Sequence, residues 1–261
     1  MISRYEAWLN DAALSDIDPR IYVYDITYNA PETERTTDAK AGVHGVRIGK
    51  SYIRSNSVTI GFEVRAYSTR LRQEIIQQVF AWAREGGWLR TSDRPYQRLR
   101  VVCDAFPVAQ SVMKWLDVLD VTFTAYEWPF WEEISPEQTS ITTEQTSTLV
   151  SGSLYCPGSF EAPMEVTIVP TEGTMTEFSV AGNGMSMSFS GISALVNSAV
   201  KIGYTEDRHI LTATLNNVSI LDKRTAASVD DMILKPGAMN AIAITADALV
   251  TATFKVKGLT L

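Results

Sequence analysis

Two histidines, His44 and His209, are all the imidazole this chain has, and imidazole is the side chain most often used as a general base or zinc ligand near neutral pH. They fall in opposite halves of the chain, so a paired-histidine site would have to draw on two folding units. Surface or turn positions account for both. A Ser-His-Asp arrangement lacks the Gly-x-Ser-x-Gly elbow that presents its nucleophile, and no Cys-His signature replaces it. Glu132-Glu133 and Asp230-Asp231 are adjacent acids. Neighbours in an extended chain point to opposite faces, so neither pair converges on one bond as glycosidase carboxylates must, and both read as solvated. Gly182-Asn183-Gly184 lacks the Lys-Ser/Thr ending and the following helix of a phosphate loop; a hairpin turn explains it. Asn217-Val218-Ser219 has the form of a glycosylation acceptor, which means nothing without secretion. No enzyme activity, cofactor or metal site is expected.

Arginine and aromatic residues carry more information. Arg47, Arg54, Arg65, Arg70, Arg72, Arg84, Arg90, Arg94, Arg98 and Arg100 crowd the first half, interspersed with Glu63, Glu74, Glu85, Asp93 and Asp104. A net charge of −7 argues against nucleic acid as the partner, since phosphate contacts need clustered cations. The planar arginine fork, which pairs with carboxylates at two points, suits protein contacts instead. Trp8, Trp82, Trp88, Trp115, Trp128 and Trp131 are the whole tryptophan complement and all precede residue 135. In the second half Phe178, Phe189, Tyr204 and Phe254 sit mostly at strand positions expected to face inward. That demotes a sugar-stacking role, which Tyr155, Phe160 and Tyr204 keep open.

The elements that would position these groups are mostly strands. Arg20–Tyr28 is rich in β-branched and aromatic residues. The polar stretch Pro31–Lys40, followed by Gly42, Gly45 and Gly49, reads as a mobile or partner-ordered loop. Ser57–Tyr67 alternates as a half-buried strand does. Ser68 or Thr69 caps a helix over Arg70–Glu85, with Leu71, Ile75, Val79 and Trp82 on its apolar stripe and Gly86-Gly87 as its stop. Leu99–Ala105 and Leu116–Tyr126 are further strands. Residues 136–147 are polar and Thr-rich, as an exposed connection would be. Beyond them come short alternating strands: Met164–Val169, Thr176–Val180, Met185–Phe189, Ser198–Ile202, His209–Thr214, Met239–Thr245 and Leu249–Lys255. Asn183-Gly184 and Asn216-Asn217 mark turns between them, a β-sandwich pattern. The expected domains are 1–135 and 148–261. Cys103 and Cys156 fall one in each, which fits a reducing compartment better than a disulfide framework. No signal peptide or membrane span is apparent, so synthesis in a cytoplasm is expected.

The order of these signals resembles one family. Asp18-Pro19-Arg20-Ile21-Tyr22-Val23 opens a strand, followed by a Gly-punctuated loop and the Val58–Arg65 strand. An Arg-bearing helix then ends in Gly86-Gly87-Trp88-Leu89, ahead of a Ser92-Asp93-Arg94-Pro95-Tyr96 turn and a strand running into Trp128-Pro129-Phe130-Trp131. This is similar to the distal tail proteins of long-tailed, non-contractile bacteriophages. Pro236-Gly237-Ala238-Met239-Asn240 is similar to a turn of that family's second domain. The resemblance implies a mainly β protein, with a barrel-like, tail-tube-type first domain bearing one helix and a galectin-like β-sandwich as the second. It also implies a hexameric ring in the virion's tail tip, assembled in the host cytoplasm, with no enzyme activity. Such rings join the tail-tube protein to the tail-tip protein and can support receptor-binding proteins; no membrane or specific nucleic-acid partner follows. A subunit of a closed ring offers different patches to its two neighbours. Arg47, Arg54, Arg70, Arg72, Arg94 and Arg98 are the candidate oligomer-interface residues. A carbohydrate-binding adhesin and a tail-tube subunit are the alternatives, with a glycoside hydrolase behind them.

Overall fold

The computed structural model describes residues 5–38, 47–105, 110–205 and 210–261. The chain divides into two compact units, Met1–Trp131 with Leu261, and Glu132–Thr260.

The first unit contains β1 (Ala7–Leu9), β2 (Ala12–Ala13), a one-turn α1 (Leu14–Ile17), β3 (Ile21–Tyr28), β4 (Glu32–Asp38), β5 (Arg47–Arg65) and α2 (Thr69–Arg84). β6 (Gly87–Thr91), β7 (Arg94–Ala105), β8 (Gln110–Met113) and β9 (Leu116–Ala125) complete it, and β10 (Trp131–Glu133) lies at the boundary. The main sheet has the order β2-β1-β6-β7-β9-β5-β3. An isolated bridge from Tyr5 to Val23 brings the chain ahead of β1 back to β3, so the sheet curls toward closure. Its interior follows from alternation: Val58, Ile60, Phe62 and Val64 of β5 and Leu119, Val121 and Phe123 of β9 are all buried. α2 adds Ile75, Ile76, Val79 and Ala83 to this core. The Trp82 ring meets Phe123 edge-on at 5.8 Å.

The helix begins where Ser68 Oγ accepts the Leu71 N–H. It ends at Gly86 and Gly87, whose φ angles of 61° and 120° suit a residue without Cβ. The Pro31–Lys40 stretch departs from expectation. Glu32–Asp38 is a strand, paired with the first part of β5 from Glu32↔Ser55 to Asp38↔Arg47. Only the later part of β5, from Asn56 on, pairs with β9. β4 and the start of β5 thus form a two-stranded arm. Glu32 through Thr37 and Gly49 through Tyr52 are exposed, so neither face imposes the apolar alternation that marks a strand in a sequence. Gly42 and Gly45 lie outside the described residues.

The second unit contains β11 (Glu137–Thr142), β12 (Val150–Cys156), β13 (Ala162–Glu172), β14 (Met175–Gly182), β15 (Met185–Ala194), β16 (Val200–Tyr204), β17 (Leu211–Leu215) and β18 (Val218–Ser219). After a 3₁₀ turn at Leu221–Lys223 come β19 (Ile233–Leu234), β20 (Ala238–Ala246), β21 (Leu249–Val256) and β22 (Leu259–Thr260). One sheet runs β11-β21-β13-β16-β17-β18, and the other β12-β20-β14-β15. Val166, Ile168, Ala252 and Phe254 of the first sheet and Leu154, Val180, Phe189 and Ile244 of the second are buried. The Met164 side chain of one sheet lies against Gly182 of the other. This is a β-sandwich.

The expected connection at 136–147 is corrected here, because Glu137–Thr142 pairs along its length with β21. It is polar because it is an edge strand whose buried contribution is small: Ile141 and, just beyond the strand, Thr143 are its inward groups. The compact units accordingly meet at residues 131 and 132, ahead of the compositional shift.

Candidate assembly surface

β6 and β7 form a hairpin over Ser92 and Asp93, and their inward positions are filled by Leu89, Thr91, Leu99 and Val101, all buried. The alternate positions Trp88, Arg90, Arg98 and Arg100 therefore share the opposite face. Cross-strand neighbours stack there. The Arg90 guanidinium lies 4.7 Å from the centre of the Trp8 ring, and Arg98 lies 3.9 Å from the centre of Trp88. The attraction of each cation to the negative face of an indole contributes on the order of 0.5–1 kcal/mol at a partly exposed site. Arg94 sits over both Tyr28, at 4.5 Å, and Trp131, at 5.0 Å. Tyr28 in turn donates its phenol hydrogen to Asp93. Burial, then that bond, pushes the phenol well above its ordinary range.

Arg54 is an exposed residue of the arm, 3.9 Å from Glu32. Arg70 is the most exposed of the paired arginines and reaches Glu74 one turn on, at 2.9 Å. The Arg47 side chain lies outside the described residues. Arg72 corrects the expectation that these cations share one surface. It is 3% exposed, with Nε donating to Asp117 Oδ2 at 2.7 Å and Nη1 donating to the carbonyls of Ala66 and Lys114. Its place at the start of the apolar stripe of α2 turns it inward, where the Asp117 carboxylate at the start of β9 neutralises it. It fastens the helix to the sheet.

The groups considered for catalysis are dispersed. His44 and His209 both lie outside the described residues. Glu132 is fully buried and accepts from Lys257 Nζ at 2.9 Å, so it is a paired interior acid, not a solvated one. Asp230 is exposed and accepts from Arg224. Asn183 and Gly184 have φ of 51° and 82° and close the β14–β15 hairpin. In the Pro236–Asn240 segment, Asn240 Oδ1 accepts from Lys235 N–H while Nδ2 donates to the carbonyls of Lys235 and Ala238. The asparagine locks its own turn, in the segment that the family resemblance had picked out. Among the described residues no group of three His, Cys, Asp or Glu side chains could hold a metal ion. In the second unit Phe178, Phe189 and Phe254 are buried, whereas Tyr155 is exposed beside its cross-strand partner Met239. The stacked arginines of β6 and β7 escape a motif search because cross-strand register, not sequence spacing, brings them to their aromatic partners.

No family model matches the sequence, and no curated protein matches it. Among solved structures, the chain is similar to the crystal structure of the SPP1 Dit protein (gp 19.1), a paradigm of the hub adsorption apparatus in phages infecting Gram-positive bacteria. The TM-score is 0.71 at 13% identity, over 97% of this chain and 98% of that one. It is also similar to a chain of the phage p2 baseplate in its activated conformation with strontium, at a TM-score of 0.49 and 10% identity over 97% of both chains. The calcium form of that baseplate gives 0.47 and 10%, over 99% of this chain and 98% of that one. The likeness to SPP1 Dit shows that the two chains share a fold from end to end.

Proposed function

We propose that this chain is a structural hub subunit of a phage tail tip, forming a ring, hexameric by the family resemblance, that joins the tail tube to the tip and receptor-binding apparatus. One observation carries the reading: the fold shared with SPP1 Dit spans both units and nearly the whole of each chain. The first unit suits the ring-forming part. It extends a two-stranded arm that buries little of its own surface, and an isolated hairpin of this kind is marginal in water without a partner face. The arm bearing Arg54, the exposed start of α2 with Arg70, and the Arg94–Arg100 segment supply polar and cationic contact groups. The second unit is the projecting module. The ring works in the virion after assembly in the host cytoplasm, and its role involves no catalysis, membrane or specific nucleic acid. Negative-stain microscopy of the purified chain tests it. A flat ring is expected, and a monodisperse monomer at every concentration would overturn the proposal. Because Arg72 is internal, the informative surface variant is Arg54→Glu with Arg70→Glu, which should leave the fold intact and lower the assembled mass in light scattering.

A further inference from the structure

The first unit's sheet carries opposite charge on two stretches of its outer face. On the β1-β6-β7 side stand Arg90, Arg98 and Arg100, with Trp8 and Trp88 against Arg90 and Arg98. Arg100 shares Glu127 at 3.6 Å. Arg90 has no carboxylate within ion-pair distance among the described residues, and its buried Nε–H has no acceptor there. Contact with the indole limits the rotamers of such a side chain, so less freedom is lost when a carboxylate takes its N–H donors.

On the β3-β5-β9 side stand Asp25 and Asp120, both exposed. Neither has an arginine or lysine partner among the described residues: Asp120 accepts the Tyr24 hydroxyl at 3.0 Å, and Asp25 accepts that of Thr27 at 2.7 Å. Glu63 on the same face is satisfied by Arg65. The negative potential registers on Tyr24, whose phenol is pushed up to about 12 by burial and then by Asp120, Asp25 and Glu63. In the strand order, β6 and β5 are separated by β7 and β9. Tyr5 bridges Val23, so the two charged stretches lie on different strands of one curled sheet.

We infer that these stretches are the two halves of one contact: the Trp- and Arg-bearing side of one copy seats on the Tyr- and Asp-bearing side of the next copy of this chain. The inference rests on the ring reading and assigns it a polarity. Each copy has one basic and one acidic side, so the contact is head-to-tail, the arrangement that generates rings when the rotation closes. Aromatic residues on both sides are the type enriched in such contacts. Charge complementarity fixes the orientation of approach, since like sides repel.

The experiment is a charge swap on the full chain, with assembly read by size-exclusion chromatography and light scattering. Arg90→Glu with Arg98→Glu makes both sides acidic; Asp25→Arg with Asp120→Arg makes both basic. Each double variant alone should need on the order of tenfold or more higher concentration for half-assembly. Mixed in equal amounts, the two should co-assemble, and the variant carrying all four substitutions should assemble by itself. Circular dichroism checks the folding of each. Should one double variant misfold, the wild type still decides, because its half-assembly concentration should rise steeply with added salt. A wild-type ring indifferent to salt, or one that both double variants form unaided, overturns this inference and leaves the hub reading standing. A wild type that never assembles overturns both.

Discussion

The two units are built by the same rule and finished differently. In both, alternation buries every second residue of the central strands. In the first, the intervening positions of β6 and β7 carry Trp88, Arg90, Arg98 and Arg100. In the second, the matching positions of β12, β20, β14 and β15 carry Ser151 opposite Ala243, Ala181 opposite Ser186, and Ser179 opposite Ser188, with Tyr155 opposite Met239 the one larger pair of β12 and β20. Large planar cations and indoles can bind another protein strongly; small hydroxyls and methyls cover a sheet without committing it to a partner. The interiors differ as well. The first unit holds a buried Arg72–Asp117 pair, whereas the central strands of the second are filled by aliphatic and aromatic side chains such as Leu154, Ile244 and Phe254. Charge thus enters the helix-to-sheet packing of the first unit, whereas in the second the buried Glu132, paired with Lys257, lies outside those central strands.

The sharpest way to break this comparison is Arg72→Ala. It strands the Asp117 carboxylate in the interior and should cost about 3–5 kcal/mol. In a urea titration the loss should appear in the transition of the first unit. Replacing Arg72 and Asp117 together with apolar residues should recover much of it. The second unit should answer to cavity size instead: Leu154→Ala should cost about 3 kcal/mol, read in its own transition. Gly184→Ala, at a φ of 82°, should cost about 1 kcal/mol by backbone strain.

Asp247→Asn should have a similar or smaller effect, about 1 kcal/mol, and it adds a pH signature. Burial pulls the Asp247 carboxyl upward. The Thr176 hydroxyl and the N–H groups of Glu177 and Thr176 outweigh it and hold the value below the ordinary 3.8. A lowered folded value means that the stabilisation is complete above the ordinary carboxylate range. It is lost as pH falls through the folded value, so the wild type should converge on the asparagine variant in acid. A gap between them that widens below pH 4 would contradict the assignment.

Much of this fold could be read from residue order. The apolar stripe, the Ser68 cap and the double glycine gave α2 to within a residue at each end, because all three act locally. Asn183-Gly184 gave its hairpin for the same reason. The arm and β11 escaped, since a strand exposed on both faces or lying at an edge has no apolar rhythm to betray it. Arg72 escaped for the opposite reason. It sits among exposed arginines in sequence, and only the meeting of α2 with Asp117, far along the chain, turns it inward. The candidate surface was legible as a composition, rich in arginine and tryptophan, but not as an arrangement.

The sandwich topology has a consequence for synthesis. β11 and β13 both bond to β21, and β12 and β14 both bond to β20. β20 and β21 thus leave the ribosome after every one of these partners. While the first unit can close as soon as its own strands have emerged, β11 and β12 of the second must wait without their ladder partners until β21 and β20 have followed. At roughly 5–20 residues per second that wait lasts several seconds. The serine- and threonine-rich strands that leave the finished sandwich so plain are also the ones least prone to stick to a neighbouring nascent chain during it.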